Sequence, residues 1–345
     1  MNKTVIHFLN VGHGDCTIIE HPSGRLTMID INNSKSLSNK DVAGLAAMRN
    51  ISEWEFRRKG SYNAALNMSW EDYYKSKLVD PHDYYKQKFG DDNSIFRYIQ
   101  THPDMDHMSG LHRFFMQEKV AVWNFWDVAH AKTFEDVDFD KARYNWDDWQ
   151  AYEALRAGQG PSNTHAVKNN LRFAKASYWN EDGISVLSPS QALIDLSDSK
   201  EEWNNVSYVL RLDFGGRSIL LPGDAVQEAW AEMVEKVHPN LLSVDILKAA
   251  HHGRKSGYHK DAVDIIKPHA VISSVGKKPE TDAHQDYKSH GAEVYSTRKH
   301  GTIVVTMWED GEIWVKDSTG DTLTSLAPLS DSAKLARSIF GVSHV

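Results

Sequence analysis

The chain has 345 residues, and its 41% hydrophobic and 25% charged content is typical of a globular protein with one sizeable core. Its net charge of −8 argues against broad binding to nucleic acid through charge alone. The single cysteine, Cys16, excludes an intramolecular disulfide, and no apolar run approaches the ~18 residues of a membrane span. Because the N-terminus also lacks the pattern of a signal peptide, we expect a cytoplasmic protein with no membrane partner.

Short strands open the chain and return along its whole length. TVIHFLNV, CTIIEH and RLTMIDI predict strands within the first 31 residues, and SIFRYIQ predicts a strand that leads into the polar loop THPDMDHMSGL. NNVSYVLRLDFGGRSILLPGD predicts a hairpin with a Gly-Gly turn, and AVQEAWAEMVEKV predicts an amphipathic helix. VDILKAAHHG predicts a strand that ends on two histidines, and further strands and a C-terminal helix over about 331–340 follow it.

Two segments, about 33–93 and 127–180, depart from this pattern by their many aromatic and polar residues. We interpret them as insertions into a single domain that covers residues 1–345. Their Trp and Tyr rings favour ordinary packing of extra helices. A lid that stacks nucleic-acid bases and a dimer interface are the alternatives, and the sequence does not fix the oligomeric state.

Carboxylates and imidazoles follow four of the predicted apolar strands. The residues concerned are Asp30, His102, Asp104, Asp106, His107, Asp224, His251 and His252. Strand ends that share a direction meet at one edge of a sheet, so we expect these side chains to converge. Imidazole together with carboxylate, without cysteine, is typical of a catalytic Zn²⁺ or Mn²⁺ site rather than a structural zinc site. A chance cluster of turn residues would account for the loop alone, but not for the other strand ends.

These motifs resemble those of the metallo-β-lactamase fold. THPDMDH resembles its H-x-H-x-D-H loop, MID its early aspartate, LPGD its late aspartate and AAHHG its final histidine. The resemblance is closer to the ComEC-type branch, the hydrolase domain of the competence DNA-uptake protein. FLNVGHGDCTII, NNVSYVLRLDFGGRSILLPGDA and LKAAHHGRKSG resemble its motifs in the same order, and the matched segments cover roughly half of the chain.

The resemblance implies an α/β protein, a four-layer αββα sandwich with one or two divalent ions at one edge of its sheets. Carried over by position, the ligands of one ion would be Asp106, His107, His251 and a bridging Asp224. The ligands of the other would be His102, the same Asp224 and Asp104. Asp30 would orient a ligand histidine from behind.

Two departures from the family pattern concern the second ion. Asp104 stands where the loop has its second histidine, and Asn204 and Asn205 fall where the family has a middle histidine. An amide is a weak ligand, so the second site would be weak or would prefer the harder Mn²⁺. His13, where the branch has glutamine, is either catalytic or a loop histidine that satisfies backbone groups.

The implied reaction is hydrolysis of a phosphodiester by water that a divalent ion activates, which makes a nuclease the leading interpretation. Asp106 would orient that water, and His252 or His284 would meet the developing oxyanion or protonate the leaving group. The residues that would hold a phosphate are Lys248, Arg254, Lys255 and Ser256, although a solvated basic turn explains them equally well. The alternatives are a hydrolase of a small nucleotide or ester enclosed by the insertions, and a non-catalytic scaffold with a residual metal site.

Overall fold

Fifteen strands run through the part of the chain that this computed structural model describes, which comprises residues 2–33, 36–90, 94–137, 144–160, 164–277 and 281–342. In chain order the strands are β1 (Lys3–Phe8), β2 (Thr17–Glu20), β3 (Leu26–Ile29), β4 (Ile95–Ile99), β5 (Val122–Asp127), β6 (Ala166–Asn169), β7 (Ile184–Ser188), β8 (Val209–Phe214), β9 (Arg217–Leu221), β10 (Ile246–Lys248), β11 (Ala270–Ser273), β12 (Glu293–Ser296), β13 (Ile303–Trp308), β14 (Ile313–Lys316) and β15 (Thr322–Leu326).

The helices of the same residues fall between these strands or after the last of them. They are α1 (Asn39–Met48), α2 (Glu53–Arg57), α3 (Trp70–Lys75), α4 (Pro81–Phe89), α5 (Trp146–Arg156), α6 (Ser177–Asp182), α7 (Gln191–Lys200), α8 (Gln227–Lys236), α9 (Pro239–Leu242), α10 (Lys260–Ile266), α11 (His284–Ser289), α12 (Thr297–His300) and α13 (Asp331–Val342). A wider helical turn over His112–Gln117 and short 3₁₀ turns supplement them. No helix among the described residues is long and apolar enough to cross a membrane.

The described strands form two sheets. The larger has the order β15-β14-β13-β1-β2-β3-β4-β5-β6, and the smaller has the order β12-β11-β10-β9-β8-β7. A buried cluster joins their facing sides, with Ile6 and Ile303 from the larger sheet and Leu210 and Ile246 from the smaller. Side chains alternate across a strand, so each sheet also has an outer face. Apolar residues occupy these outer faces as well, and helices must therefore pack on them.

Helices cover both outer faces. Trp230 of α8 and Val263 of α10 pack with Leu220 and Leu247 on the outside of the smaller sheet. Tyr85 of α4, Trp149 and Tyr152 of α5, and other residues pack against Ile18 and Tyr98 on the outside of the larger sheet. The layers are therefore helix, sheet, sheet and helix, which confirms the four-layer αββα sandwich.

The hairpin β8–β9 shows how local sequence sets one of these elements. Gly215 and Gly216 both have positive φ, 61° and 79°, which a two-residue turn of this kind requires. A Cβ on Gly215 would lie 2.1 Å from the carbonyl oxygen of Trp308, so the turn also packs closely against the other sheet. The Gly-Gly pair in the sequence predicts this hairpin.

The two aromatic segments occupy different places. The first carries α1 to α4 between β3 and β4, and part of it forms a small core of its own around Val42, Leu45 and Phe56. The second supplies β6 at the edge of the larger sheet and α5 in its outer helix layer. Residues 34–35, 91–93, 138–143 and 161–163 of these segments lie outside the described residues. Many of their rings pack within the protein, for example Trp149 and Tyr152, as ordinary helix packing requires.

Parallel strand pairs place the polar strand ends. β3 and β4 run parallel in the larger sheet, so Asp30 and the loop that begins at Thr101 emerge side by side. β9 and β10 run parallel in the smaller sheet, so Asp224 and the two histidines after β10 emerge together. The strand ends therefore converge from two facing sheets, and both sheets contribute residues to the site.

Candidate metal centre

A buried group of imidazoles and carboxylates lies where the ends of β4, β9 and β10 meet. The Nε2 atoms of His107 and His252 each lie 3.2 Å from the same oxygen of Asp224, Oδ2. The His252 Nε2 also lies 3.3 Å from Oδ2 of Asp106. Asp224, His107 and His252 are almost completely buried, so the ring nitrogens and carboxylate oxygens face one another away from bulk water.

Hydrogen bonds on the far sides of the rings fix which nitrogen faces the group. The Nδ1–H of His107 donates to Oδ2 of Asp30 at 2.7 Å, and the Nδ1–H of His252 donates to the carbonyl of Ser274 at 3.0 Å. In the neutral imidazole the opposite nitrogen, Nε2, then carries a lone pair. Both Nε2 atoms are buried without a hydrogen-bond partner, as is Oδ1 of Asp224.

This arrangement of electron pairs fits a cation. Lone pairs on two imidazole nitrogens directed at carboxylate oxygens repel unless a positive charge lies between them. Two neutral imidazoles with the carboxylates of Asp106 and Asp224 form a donor set whose charge of −2 balances a divalent ion. The residues present therefore fit a divalent ion such as Zn²⁺ or Mn²⁺, and the structure does not select between these metals.

Asp30 lies on the side of the His107 ring that faces away from Asp224, and it fixes the orientation of that ring. Its carboxylate accepts the Nδ1–H of His107, the backbone N–H of Thr101 at 2.8 Å and the Thr101 hydroxyl at 2.7 Å. The same hydroxyl oxygen accepts the Nδ1–H of His102 at 2.9 Å, so the buried Nε2 of His102 faces Asp104, 3.5 Å from its Oδ2. One carboxylate thereby orients two histidines of the loop, which is how ligating imidazoles are usually held.

The carboxylates dominate the electrostatics of the metal-free site. Burial alone would lower the pKa of His252, but Asp224 and Asp106 outweigh it and raise that pKa to about 9. The pKa of His107 is raised well above its ordinary value because Asp224 and Asp30 outweigh its burial. Burial opposes ionisation of Asp224, yet both histidines hold the pKa of that carboxyl well below its usual range. The histidines accordingly hold protons that a metal ion would displace.

The two histidines of the AAHHG turn have different surroundings, and the ligand role of His251 and the catalytic role of His252 that the family resemblance implies stay predictions. His252, for which we expected a catalytic role, lies within the ligand group. His251 is half-buried, and its Nδ1 is 2.9 Å from the Ser256 hydroxyl while its Nε2 accepts from Arg254 at 3.5 Å. Burial lowers the pKa of His251 to about 4. The turn is left-handed at both residues, with φ of 48° and 56°, and this local geometry decides which ring points inward.

Asp15 and Lys248 form a buried ion pair beside the group. Oδ2 of Asp15 lies 2.5 Å from Nζ of Lys248 and 3.8 Å from the Nδ1 atoms of His107 and His252. Asp15 thus faces the side of the rings opposite to Asp224. Lys248 also donates to the carbonyl of Gly223 at 3.3 Å. Lys248 is therefore buried and paired in this structure, and its expected role in binding substrate phosphate stays a prediction.

Asp15 belongs to the site although our motif reading gave it no role. The signal in the sequence was its place in GHGD directly before the strand CTII, which matches the opening of the ComEC-type branch. His13 of the same motif approaches Asp106, with 3.9 Å between Nε2 and Oδ2. Arg254 donates to His13 at 3.0 Å, so its guanidinium joins the opening loop to the AAHHG turn. Asp15, His107, Asp224 and His252 form one possible ligand group, and His13, Asp106 and His252 form another.

The residues that the family resemblance implies for a second ion do not form a group like that of His107, His252 and Asp224. Nε2 of His102 lies 3.5 Å from Oδ2 of Asp104, but Oδ1 of Asp104 lies 2.5 Å from the ammonium of Lys132. Asn205 caps helix α8, since its Oδ1 accepts from the backbone N–H of Ala229 at 3.1 Å. Asn204 has a buried Oδ1 without a hydrogen-bond partner.

The other expected substrate or catalytic residues lie around the AAHHG turn, outside the ligand group. Nε2 of His284 is 2.9 Å from the Ser273 hydroxyl and lies close behind Gly253, at whose position a Cβ would be 3.1 Å away. Lys255 is exposed and lies 3.9 Å from Asp286. Ser256 contacts His251. A role for His284 as general acid therefore stays a prediction.

A cavity of about 830 Å³ opens beside Asp106 and His251. Part of its wall comes from the second aromatic segment, through Lys132, Asp136, Val137 and Tyr144. Further wall residues come from the segment before β8 and from the start of α8. Its size is in the range of small-molecule sites. Carboxylates are prominent in its lining: Asp104, Asp106, Asp136, Glu201, Glu202 and Glu228.

No protein-family model matches the chain. A stretch of 105 residues is 34% identical to ComE operon protein 3 of Bacillus subtilis (strain 168), and it covers 29% of this chain and 13% of that protein. The chain thus matches only a small part of that relative's length. The structure of Igni18, a metallo hydrolase from Ignicoccus hospitalis, aligns over 87% of this chain and 98% of that one, with a TM-score of 0.45 and 12% identity. A likeness at that level says nothing about the reaction, so the chemistry has to be inferred from the site itself.

Proposed function

We propose that this protein is a metal-dependent hydrolase whose ion is bound by Asp106, His107, Asp224 and His252. The observation that carries the proposal is the pair of buried Nε2 atoms, on His107 and His252, that face one carboxylate without a hydrogen-bond partner. Unpaired buried acceptors destabilise a protein, so their persistence in one place supports a bound cation.

When bound, a divalent ion supplies a Lewis acid that lowers the pKa of water and polarises a phosphoryl or acyl oxygen. The chain supplies the rest. Asp106 borders the cavity and is 19% exposed, so its carboxylate is placed to orient water and substrate. Asp30 and Ser274 hold the rings of His107 and His252 in the orientation that binding requires.

We propose a phosphodiester as the substrate class. The support comes from the ComEC-type motifs of the sequence and from the 105-residue stretch that is similar to ComE operon protein 3. Ester hydrolysis by the same donor set is the alternative, because a divalent ion polarises an acyl oxygen as well as a phosphoryl oxygen.

The cavity favours a small phosphodiester over a long nucleic acid. Its volume of about 830 Å³ suits a ligand the size of a nucleotide. Exposed carboxylates on its wall, at Asp136, Glu201 and Glu202, would repel a polyanionic strand that extends from the centre. A nuclease therefore becomes the second candidate.

Metal analysis and a substrate panel test the proposal. Gently purified protein is expected to contain a first-row divalent ion, and to hydrolyse bis-p-nitrophenyl phosphate with Mn²⁺ or Zn²⁺ faster than p-nitrophenyl acetate. Single-stranded DNA and RNA in the same panel separate the nuclease from the small-substrate enzyme. If the protein neither contains nor takes up an ion on titration, the scaffold interpretation replaces the hydrolase.

A further inference from the structure

We propose that the centre holds a single divalent ion, and that the ammonium of Lys132 occupies the place of a second cation beside His102 and Asp104. The inference rests on the proposed metal centre, but it concerns a different half of the site. The family resemblance leaves one or two ions open, and the inference selects one.

Lys132 belongs to the second aromatic segment, and a carboxylate and an aromatic ring from outside that segment hold its ammonium in place. Its Nζ lies 2.5 Å from Oδ1 of Asp104 and 5.0 Å from the ring centroid of Trp203, and its side chain is only 8% exposed. A cation over an indole ring is attracted to the face of that ring. The ammonium is thus fixed between a carboxylate and an aromatic face at the border of the cavity.

The backbone beside Lys132 is anchored as well. The N–H of Lys132 donates to Nδ1 of His130 at 3.1 Å, so the Nε2–H of His130 donates to the hydroxyl of Tyr152 at 2.6 Å. Tyr152 lies on α5 and donates to Oδ1 of Asp127 at 2.6 Å. His130, Tyr152 and Asp127 are buried, so this chain of hydrogen bonds ties the loop to the outer helix layer.

The donor set beside Lys132 suits one positive charge better than two. Asp104 supplies one carboxylate, His102 supplies one imidazole whose buried Nε2 has no hydrogen-bond partner, and Asp224 already faces the ligand group of His107 and His252. Asn205, at the family's middle-histidine position, is engaged at the start of α8, and Asn204 offers only an amide oxygen. A divalent ion here would lie next to a buried ammonium, which repels it.

Metal stoichiometry tests the inference without any activity measurement. Wild-type protein and a Lys132→Met variant are dialysed against Mn²⁺ and analysed for bound metal, and their Mn²⁺ spectra are recorded by electron paramagnetic resonance. We expect one ion and an uncoupled spectrum for the wild type. We expect two ions and a spin-coupled spectrum for Lys132→Met, because the freed Asp104 and His102 become available as ligands.

Two further variants make the result specific. Lys132→Met combined with Asp104→Asn should return to one ion, since the carboxylate of the second position is then absent. Lys260→Met removes a lysine whose side chain is 70% exposed, and it should keep one ion, which controls for the change in net charge.

Two tightly bound ions in the wild type, or a single ion in folded Lys132→Met, would overturn this inference. Either result would leave the proposed metal centre of Asp106, His107, Asp224 and His252 unchanged. No ion in the wild type would overturn both. If Lys132→Met does not fold, the wild-type stoichiometry and an Asp104→Asn variant decide the question. The inference requires one ion in each, whereas a second ion that Asp104 binds would be present in the wild type and absent from the variant.

Discussion

The two halves of the polar site are built by the same loop, and they differ in what neutralises them. In one half, the Nε2 atoms of His107 and His252 face Asp224, and a metal ion bound there would displace the protons that the two rings hold in its absence. In the other half, Asp104 meets the ammonium of Lys132. The difference shows that a motif specifies ligands, whereas the surrounding chain determines whether a metal or a lysine compensates their charge.

Removing the shared carboxylate should have the largest effect. Asp224→Asn leaves the shape intact but removes a negative charge that both imidazoles face, so we expect loss of the bound ion and a fall in kcat of about 10³-fold, equivalent to several kcal/mol of lost stabilisation. Metal analysis and hydrolysis of bis-p-nitrophenyl phosphate measure the two effects. Asp264→Asn, the same change on an exposed residue, is the matched control. An Asp224→Asn protein that keeps its ion would contradict our ligand assignment.

Substitutions of the two adjacent histidines should differ in their effect on metal affinity. His252→Ala removes an inward Nε2 and is expected to lower metal affinity by at least about 10²-fold, whereas His251→Ala should retain the ion because its ring contacts Ser256 and Arg254. Metal titration of both folded variants measures this difference. The opposite ranking, with the ion lost from His251→Ala alone, would restore the assignment that the family resemblance implies.

Substitution of Asp30, which orients the ligand His107, should have a smaller effect on metal affinity. Asp30→Asn keeps the size of the side chain but removes the charge that accepts from His107 and Thr101, so metal affinity should fall by about 10- to 100-fold. Titration of the metal-free variant with Zn²⁺ against a competing chelator gives the value. Circular dichroism of the same sample serves as the control for folding. Unchanged affinity would show that the orientation of His107 does not depend on Asp30.

The smallest effect concerns pH. Because the folded pKa of His252 is about 9 and its unfolded value is near 6.5, its contribution to the stability of the metal-free protein is fully present below pH 6.5 and is lost as the pH rises through 9. His107 acts in the same direction. Metal binding needs the deprotonated rings, so metal affinity should instead rise over this window.

Thermal unfolding with chelator and with excess Zn²⁺, between pH 6 and 9.5, measures both trends. The difference in Tm between the two conditions should widen with pH. A metal-free Tm that rises across this window would mean that the imidazoles are not held as cations by Asp224 and Asp106.

Elements that depend on local pattern could be predicted from the amino-acid sequence alone. Alternating apolar residues predict the strands, the Gly-Gly pair predicts the β8–β9 hairpin, and polar residues after four strands predict a convergent site with carboxylate and imidazole donors. These features follow from neighbours along the chain, and the motif resemblance then implied the layer order of the sandwich.

Which of two adjacent histidines faces the carboxylates depends on tertiary packing, because a left-handed turn and the carbonyl of Ser274, directly after β11, orient the ring of His252. Tertiary packing also decided that Lys248 lies inside against Asp15 and that Lys132, 28 residues after Asp104, reaches that carboxylate. These contacts join segments that are distant in the sequence. Their geometry depends on how two sheets and an inserted helix pack, and no local pattern encodes that.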